Sequence, residues 1–104
     1  MRILLVEDDP AQAELVKIHL LEALASHDVD CSLTEVGRLG DALERLEDHD
    51  LVVLDLGLPD SEGLVGLEHI LSVPAPPPVV VLTGVDDLRL AVQAVQSGAQ
   101  DYVQ

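Results

Sequence analysis

Three stretches of this sequence set oxygen-bearing side chains directly behind short apolar runs. Glu7, Asp8 and Asp9 follow RILLV, Asp55 follows LVVL, and Thr83-Gly84 follows VVVL. If the runs are parallel strands, these residues gather beyond the carboxyl ends of one sheet, where open α/β sheets bind their ligands. Carboxylates brought together there repel and raise one another's pKa unless a cation neutralises them. A hard divalent ion answers that need, and Mg²⁺ is held by one or two carboxylates while it keeps waters. Beside such an ion, a carboxylate can serve as a nucleophile toward a phosphoryl group and form an aspartyl phosphate. The Thr83 hydroxyl then supplies a donor to the bound group, and Gly84 leaves the neighbouring backbone open. Each signal alone has a plainer explanation. Asp9 before Pro10 reads as a helix N-cap, Asp55 as a turn residue, and Thr83-Gly84 as an ordinary strand end. Their order at successive strand ends carries the chemical reading.

The elements that must position them follow from the pattern. Residues 2–6 form an unbroken apolar run, as suits a strand buried on both faces. Pro10 sits where a first helical turn tolerates it. From there to residue 26, Leu15, Ile18, Leu21 and Ala25 recur at helical spacing, widened by Val16, Leu20 and Leu24. Residues 29–35 read as a second strand, 39–47 as a second helix and 51–54 as a third strand. Residues 57–63 (GLPDSEG) read as a loop, and 64–71 as a third helix. The prolines of 74–78 (PAPPP) make a connector too short to separate two cores. Residues 79–82 are a fourth strand. Asp86 or Asp87 can cap a fourth helix running to Gln96, which Ser97-Gly98 stops. A fifth strand begins at residue 99. This alternation calls for a parallel sheet with helices on both faces.

At 104 residues the chain fits a single domain. Apolar residues make up 48% of it, but Tyr102 is its only aromatic, so Leu, Val, Ile and Ala must build the core. Against 5 basic residues stand 20 acidic ones, a formal charge of −15. Such a surface repels a phosphate backbone or an anionic membrane, so neither direct nucleic-acid binding nor membrane association is expected. It also makes the fold sensitive to ionic strength. Cys31 stands alone, which excludes an internal disulfide and a cysteine metal site, and its apolar surroundings suggest a buried thiol. The opening residues do not resemble a signal peptide. No apolar run is long enough to span a bilayer. The expected compartment is the cytoplasm. His19, His27, His49 and His69 fall in separate segments without ligand spacing and read as surface residues.

At the residues singled out above, the chain resembles the receiver domains of two-component response regulators, the chemotaxis-regulator type among them. The matching segments are residues 3–9 (ILLVEDD), 52–63 (VVLDLGLPDSEG), 79–84 (VVVLTG) and 97–102 (SGAQDY). The resemblance implies one C-terminally truncated receiver domain over residues 1–104. Its fold would be a flavodoxin-like doubly wound sheet of five parallel strands, order 2-1-3-4-5, without the family's fifth helix. It implies a signalling switch rather than an enzyme. Asp55 would accept a phosphoryl group from a phosphohistidine on a sensor histidine kinase or phosphotransfer protein. Mg²⁺ would be held by Asp8 and Asp55 directly, by Glu7 through water and by the Gly57 carbonyl. Thr83 would be the switch hydroxyl and Tyr102 the aromatic that turns inward with it. An output domain or partner protein would read the result.

Two departures from the family pattern matter. The lysine that follows the fifth strand falls just past Gln104, and its loss should impair transfer or switching. Without the fifth helix, right-handed crossovers leave helix one alone on one face of the sheet. Valines and leucines over strands three to five should then be bare. The expectation is a fragment of a longer protein, or a face covered by a partner, a homodimer included. Gly57 and Val85 stand where the family tunes hydrolysis, and neither can orient a water, so self-dephosphorylation should be slow. The alternative function is a non-phosphorylated pseudo-receiver that acts as an interaction module. A hydrolase of the aspartate-nucleophile type is disfavoured, because such enzymes need a second acid where Gly57 stands.

Overall fold

Four consecutive side chains, Ile3 to Val6, are wholly buried. Only a strand covered on both faces permits this. That strand is β1 (Arg2–Val6), second from the edge of a five-stranded sheet. The computed structural model describes residues 1–28, 30–56, 64–82 and 88–103, with Leu88 and Val103 described by backbone alone. Its remaining strands are β2 (Ser32–Val36), β3 (Leu51–Asp55), β4 (Val79–Leu82) and β5 (Asp101–Val103). All neighbouring strands pair in parallel, and their order is β2-β1-β3-β4-β5, as the flavodoxin-like pattern requires.

The helices are α1 (Pro10–Ala25), α2 (Leu39–Leu43), α3 (Val65–Leu71) and α4 (Leu88–Gln96). Strand alternation divides the core into two layers. On one face Leu4, Val6, Val52, Leu54, Val79 and Val81 meet Leu39 and Ala42 of α2, Leu67 and Ile70 of α3, and Ala94 of α4. On the other, Ile3, Leu5 and Val53 meet Ala13 of α1, with Val16, Leu20 and Leu24 beside it. No fifth helix occurs among the described residues. The second face is therefore only half covered. An apolar groove of about 200 Å³ opens beside α1, lined by Val16, His19, Leu20, Leu51, Val53, Val80 and Leu82. This is the bare patch over strands three and four that the crossover argument anticipates.

Several boundaries differ from the sequence expectation, each for a local reason. β2 begins at Ser32 rather than residue 29, because β1 offers its first partner at Arg2, opposite Ser32. The second helix breaks after Leu43, and a 3₁₀ turn at Leu46–Asp48 follows. There Arg45, Asp48 and His49 donate to carbonyls three residues back. The tightening keeps Leu46 in the core while the chain returns to β3. β5 begins at Asp101, since the preceding residues complete a helix stop. Gly98 and Ala99 donate to the carbonyls of Val95 and Ala94, with Gly98 at φ 123°. This is a Schellman arrangement, for which glycine is suited. A methyl group at Gly98 would lie 2.9 Å from Leu71 Cδ1. Cys31 is half-buried rather than buried, at the margin of the α1 layer. His19, His27 and His69 are exposed and His49 half-buried, its Nδ1 against the Arg45 carbonyl at 2.7 Å. The capping residues expected before α4, Asp86 and Asp87, lie outside the described residues.

Candidate functional site

The sheet register fixes where the acids emerge. Val6 of β1 lies opposite Leu54 of β3, so Glu7 and Asp55 leave the sheet side by side. Asp55 is in turn opposite Leu82, the residue before Thr83. The Glu7 amide donates to the Val36 carbonyl at 3.0 Å, which extends the β1–β2 ladder by one bond and holds the acid in place. Asp9 has separate work. Its carboxylate accepts from the Ala11 amide at 2.9 Å and its carbonyl from the Ala13 amide at 2.9 Å. It is thus the N-cap of α1, with Pro10 behind it. Its own amide donates to Glu7 Oε1 at 3.1 Å.

One carboxylate oxygen from each of Glu7, Asp8 and Asp55 lies within 4.8 Å of the others. Glu7 and Asp55 are half-buried and Asp8 is exposed. The crowding shows in Glu7, whose pKa is pushed from 4.5 up to about 7. Burial is the first cause. The charge of Asp55, a hydrogen bond to its carboxylate and the charge of Asp8 add to it, while the Asp9 amide opposes it. Burial and the neighbouring carboxylates therefore favour the protonated form of Glu7 toward neutral pH. A proton is the weakest available answer to three converging carboxylates. A hard divalent cation with oxygen ligands fits the same donor set and would displace it.

Of the residues singled out in the sequence, the structure brings together Glu7, Asp8 and Asp55. Tyr102 is half-buried against the layer under α2, α3 and α4. It pairs in register with Val81, level with Leu54 and two strands from the acids. Gly57 and Thr83 lie outside the described residues, as do Gly84 and Val85. Sequence reasoning left His19 as an undistinguished helix-face residue. It lies on the wall of the apolar groove, and its spacing from Val16 was the available signal.

Comparison with known proteins agrees with this geometry. The sequence profile of the response regulator receiver domain matches residues 3–104. The cell cycle transcriptional regulator CtrA of Caulobacter vibrioides is 33% identical over 103 residues, 99% of this chain and 43% of its own length. The cell cycle response regulator CtrA of Brucella ovis matches to the same extent. The chain thus spans less than half the length of these relatives. Among solved structures, the BeF3-activated receiver domain of Klebsiella pneumoniae RstA superposes with a TM-score of 0.76 at 29% identity. That match covers 99% of this chain and 84% of the other. The phosphorylated cyanobacterial phytochrome response regulator RcpA gives 0.74 at 31% identity, covering 99% and 79%. An open parallel sheet in this strand order, with acids at the ends of β1 and β3, defines the receiver class. The chain belongs to the response regulator receiver domain family.

Proposed function

We propose that residues 1–104 form one receiver domain that works as a phosphorylation switch, with Asp55 as the phosphoacceptor. The observation that carries this reading is the meeting of the β1 acids with the β3 carboxylate within 4.8 Å. A carboxylate oxygen of Asp55 attacks the phosphorus of a phosphohistidine on a sensor kinase or phosphotransfer protein. The new O–P bond forms as the donor's P–N bond breaks, and the electron pair stays on the imidazole nitrogen, which takes up a proton. Asp8 and Asp55, with the Gly57 carbonyl and with Glu7 through water, would hold Mg²⁺. When bound, the cation offsets the charge of the carboxylates and of the phosphoryl oxygens. A cation held there would favour the ionised form of Glu7.

Thr83 follows Leu82, the register partner of Asp55, and so stands in sequence where its hydroxyl can donate to the phosphoryl group. Its turn toward that group is accompanied by an inward turn of Tyr102, and the conformation changes at the face these two residues share. An output domain or partner protein reads that surface. The chain assists only its own phosphorylation and dephosphorylation. With Gly57 and Val85 unable to orient a water, the aspartyl phosphate is long-lived. The setting is cytoplasmic, beside the kinase domain of the sensor. The phosphorylated state of RcpA, a relative at 31% identity, supports the phosphoacceptor reading.

Beryllofluoride tests it. In the presence of Mg²⁺ it should give an adduct at Asp55 that shifts the Tyr102 resonances and is absent from Asp55→Asn. A wild-type chain that binds no beryllofluoride at any Mg²⁺ concentration would instead make this an interaction module that never takes phosphate.

A further inference from the structure

Beside the acid rim stands a cation that bond-making at Asp55 does not use. Val36 of β2, Val6 of β1 and Leu54 of β3 are level across the sheet. The residues after them, Gly37, Glu7 and Asp55, therefore emerge at one edge, and Arg38 follows Gly37. The turns after β1 and β2 approach closely, since a methyl group at Gly37 would lie 3.8 Å from Asp8 Cα. β1 lies between β2 and β3, which at the usual strand spacing are about 10 Å apart. Arg38 thus stands one strand from Asp8 and two from Asp55.

Arginine is a poor choice for this place on local grounds. Arg38 is the N-cap of α2, extended at φ −141° and ψ 149°, and its side chain makes no capping bond. The position favours Ser, Thr, Asp or Asn, whose oxygens accept from helical amides, whereas a guanidinium accepts nothing. A local rule broken without local compensation is expected where function holds the residue. The Arg38 side chain is exposed, and among the described residues no carboxylate pairs with it. The other basic side chains are placed differently. Lys17 is paired with Glu35 at 3.7 Å. Arg2 and Arg45 lie toward the opposite edge, where β1 and β3 begin, and Arg89 lies in the first turn of α4, beyond β4.

We propose that Arg38 selects the phosphodonor: its charge draws small donors with a dianionic phosphoryl group, the acyl phosphates, to Asp55. The inference rests on Asp55 being the phosphoacceptor. Such a donor must approach a chain of formal charge −15 at the point where three carboxylates converge. One positive charge about 10 Å away changes the arrival of a dianion about fourfold in unscreened water, and hardly at all in about 0.5 M salt. A protein donor brings its own charges and a wide contact surface, so one exposed arginine weighs less there. In the transfer, an Asp55 carboxylate oxygen forms the new O–P bond as the bond from phosphorus to the acyl oxygen breaks. The departing carboxylate keeps the electron pair. Arg38 takes no part in those bonds and acts on the approach, where it discriminates by charge. The same field acts on a cation with the opposite sign, so Arg38 opposes Mg²⁺ binding.

Initial rates of Asp55 modification, read by intact-mass spectrometry at saturating Mg²⁺, test this with two donors. Acetyl phosphate is a dianion at neutral pH and phosphoramidate a monoanion. At about 20 mM ionic strength, Arg38→Gln should slow acetyl phosphate about two- to threefold and Arg38→Glu about sixfold. Phosphoramidate should slow by the square root of those factors, and about 0.5 M NaCl should erase most of the difference. Arg45→Gln removes the same charge at the opposite edge and should leave both rates unchanged. Calorimetric titration with Mg²⁺ alone should show tighter binding to Arg38→Gln, about two- to threefold at low salt, a gain that local damage would not produce. Arg38→Gln rates equal to those of Arg45→Gln would overturn the inference and leave Asp55 as phosphoacceptor. So would equal slowing of both donors at both ionic strengths, or Mg²⁺ binding that does not tighten. A wild-type chain modified by neither donor would overturn the inference together with the phosphoacceptor reading beneath it.

Discussion

The two faces of this sheet use the same residues to different ends. Under α2, α3 and α4, the alternate residues of β1, β3 and β4 are buried to within a few per cent, and three helices seal them. On the α1 face, Ile3, Leu5 and Val53 are equally buried, but Leu51, Val80 and Leu82 are only half-covered. Sequence composition does not distinguish the two sides, since both are Val, Leu and Ile. Topology does, because among the described residues crossover handedness assigns three helices to one face and one to the other. The acid cluster sits on the rim between them and draws its position from β1 and β3, the strands common to both layers.

The sharpest way to break this contrast is to remove the same atoms from each side. Leu67→Ala, under the sealed face, should cost about 2–5 kcal/mol of unfolding free energy. Leu51→Ala, on the open face, should cost about 1 kcal/mol, since that side chain is only half-buried. Urea titrations of both variants decide the matter, and equal losses would erase the distinction.

Gly98→Ala probes the stop that delivers the chain from α4 to β5. The residue sits at φ 123°, and the added methyl meets Leu71. A loss of about 2 kcal/mol is expected from backbone strain, before any shift of Leu71. Thermal melts would show it, and an unchanged melting temperature would mean the stop is dispensable.

The rim gives a smaller, pH-dependent effect. In the metal-free protein Glu7 has its pKa raised from 4.5 to about 7. Between those values the folded chain holds a proton that the unfolded chain releases, so stability falls as pH rises through that window. The penalty is absent below it and complete above it. Its size is on the order of 1–2 kcal/mol, discounted because the group is partly solvated. Glu7→Gln should remove this part of the pH profile, leaving the general effect of net charge. Mg²⁺ should stabilise the wild type more at pH 8 than at pH 5. A Glu7→Gln profile parallel to wild type would show that the proton is not held there.

Much of this was legible in the sequence. The unbroken runs at Ile3–Val6 and Val52–Leu54 marked central parallel strands, because only two-sided burial tolerates such runs. Asp9-Pro10 announced its own helix start, and Ser97-Gly98 a helix stop. Acids placed at two strand ends announced the cluster of Glu7, Asp8 and Asp55, since parallel register brings those ends together. The break of the second helix into a 3₁₀ turn was not legible. It depends on how far Leu46 must reach to stay in the core, a tertiary demand that local pattern does not encode. β2 starts late because a strand begins where its neighbour offers a partner, and β5 because the residues before it complete the stop of α4. Nor did the pattern reveal that burial, more than the neighbouring charges, raises the Glu7 pKa. Depth beneath the surface is a property of the assembled rim.

The central claim is that the three acids form one cation site around a phosphoacceptor. Acyl-phosphate formation from acetyl phosphate, followed by mass spectrometry on intact chain and peptides, tests it most directly. The account predicts Mg²⁺-dependent modification confined to Asp55, lost in Asp55→Asn and strongly slowed in Asp8→Asn. Modification that proceeds equally without Mg²⁺, or that settles on another carboxylate in the wild-type chain, would contradict it.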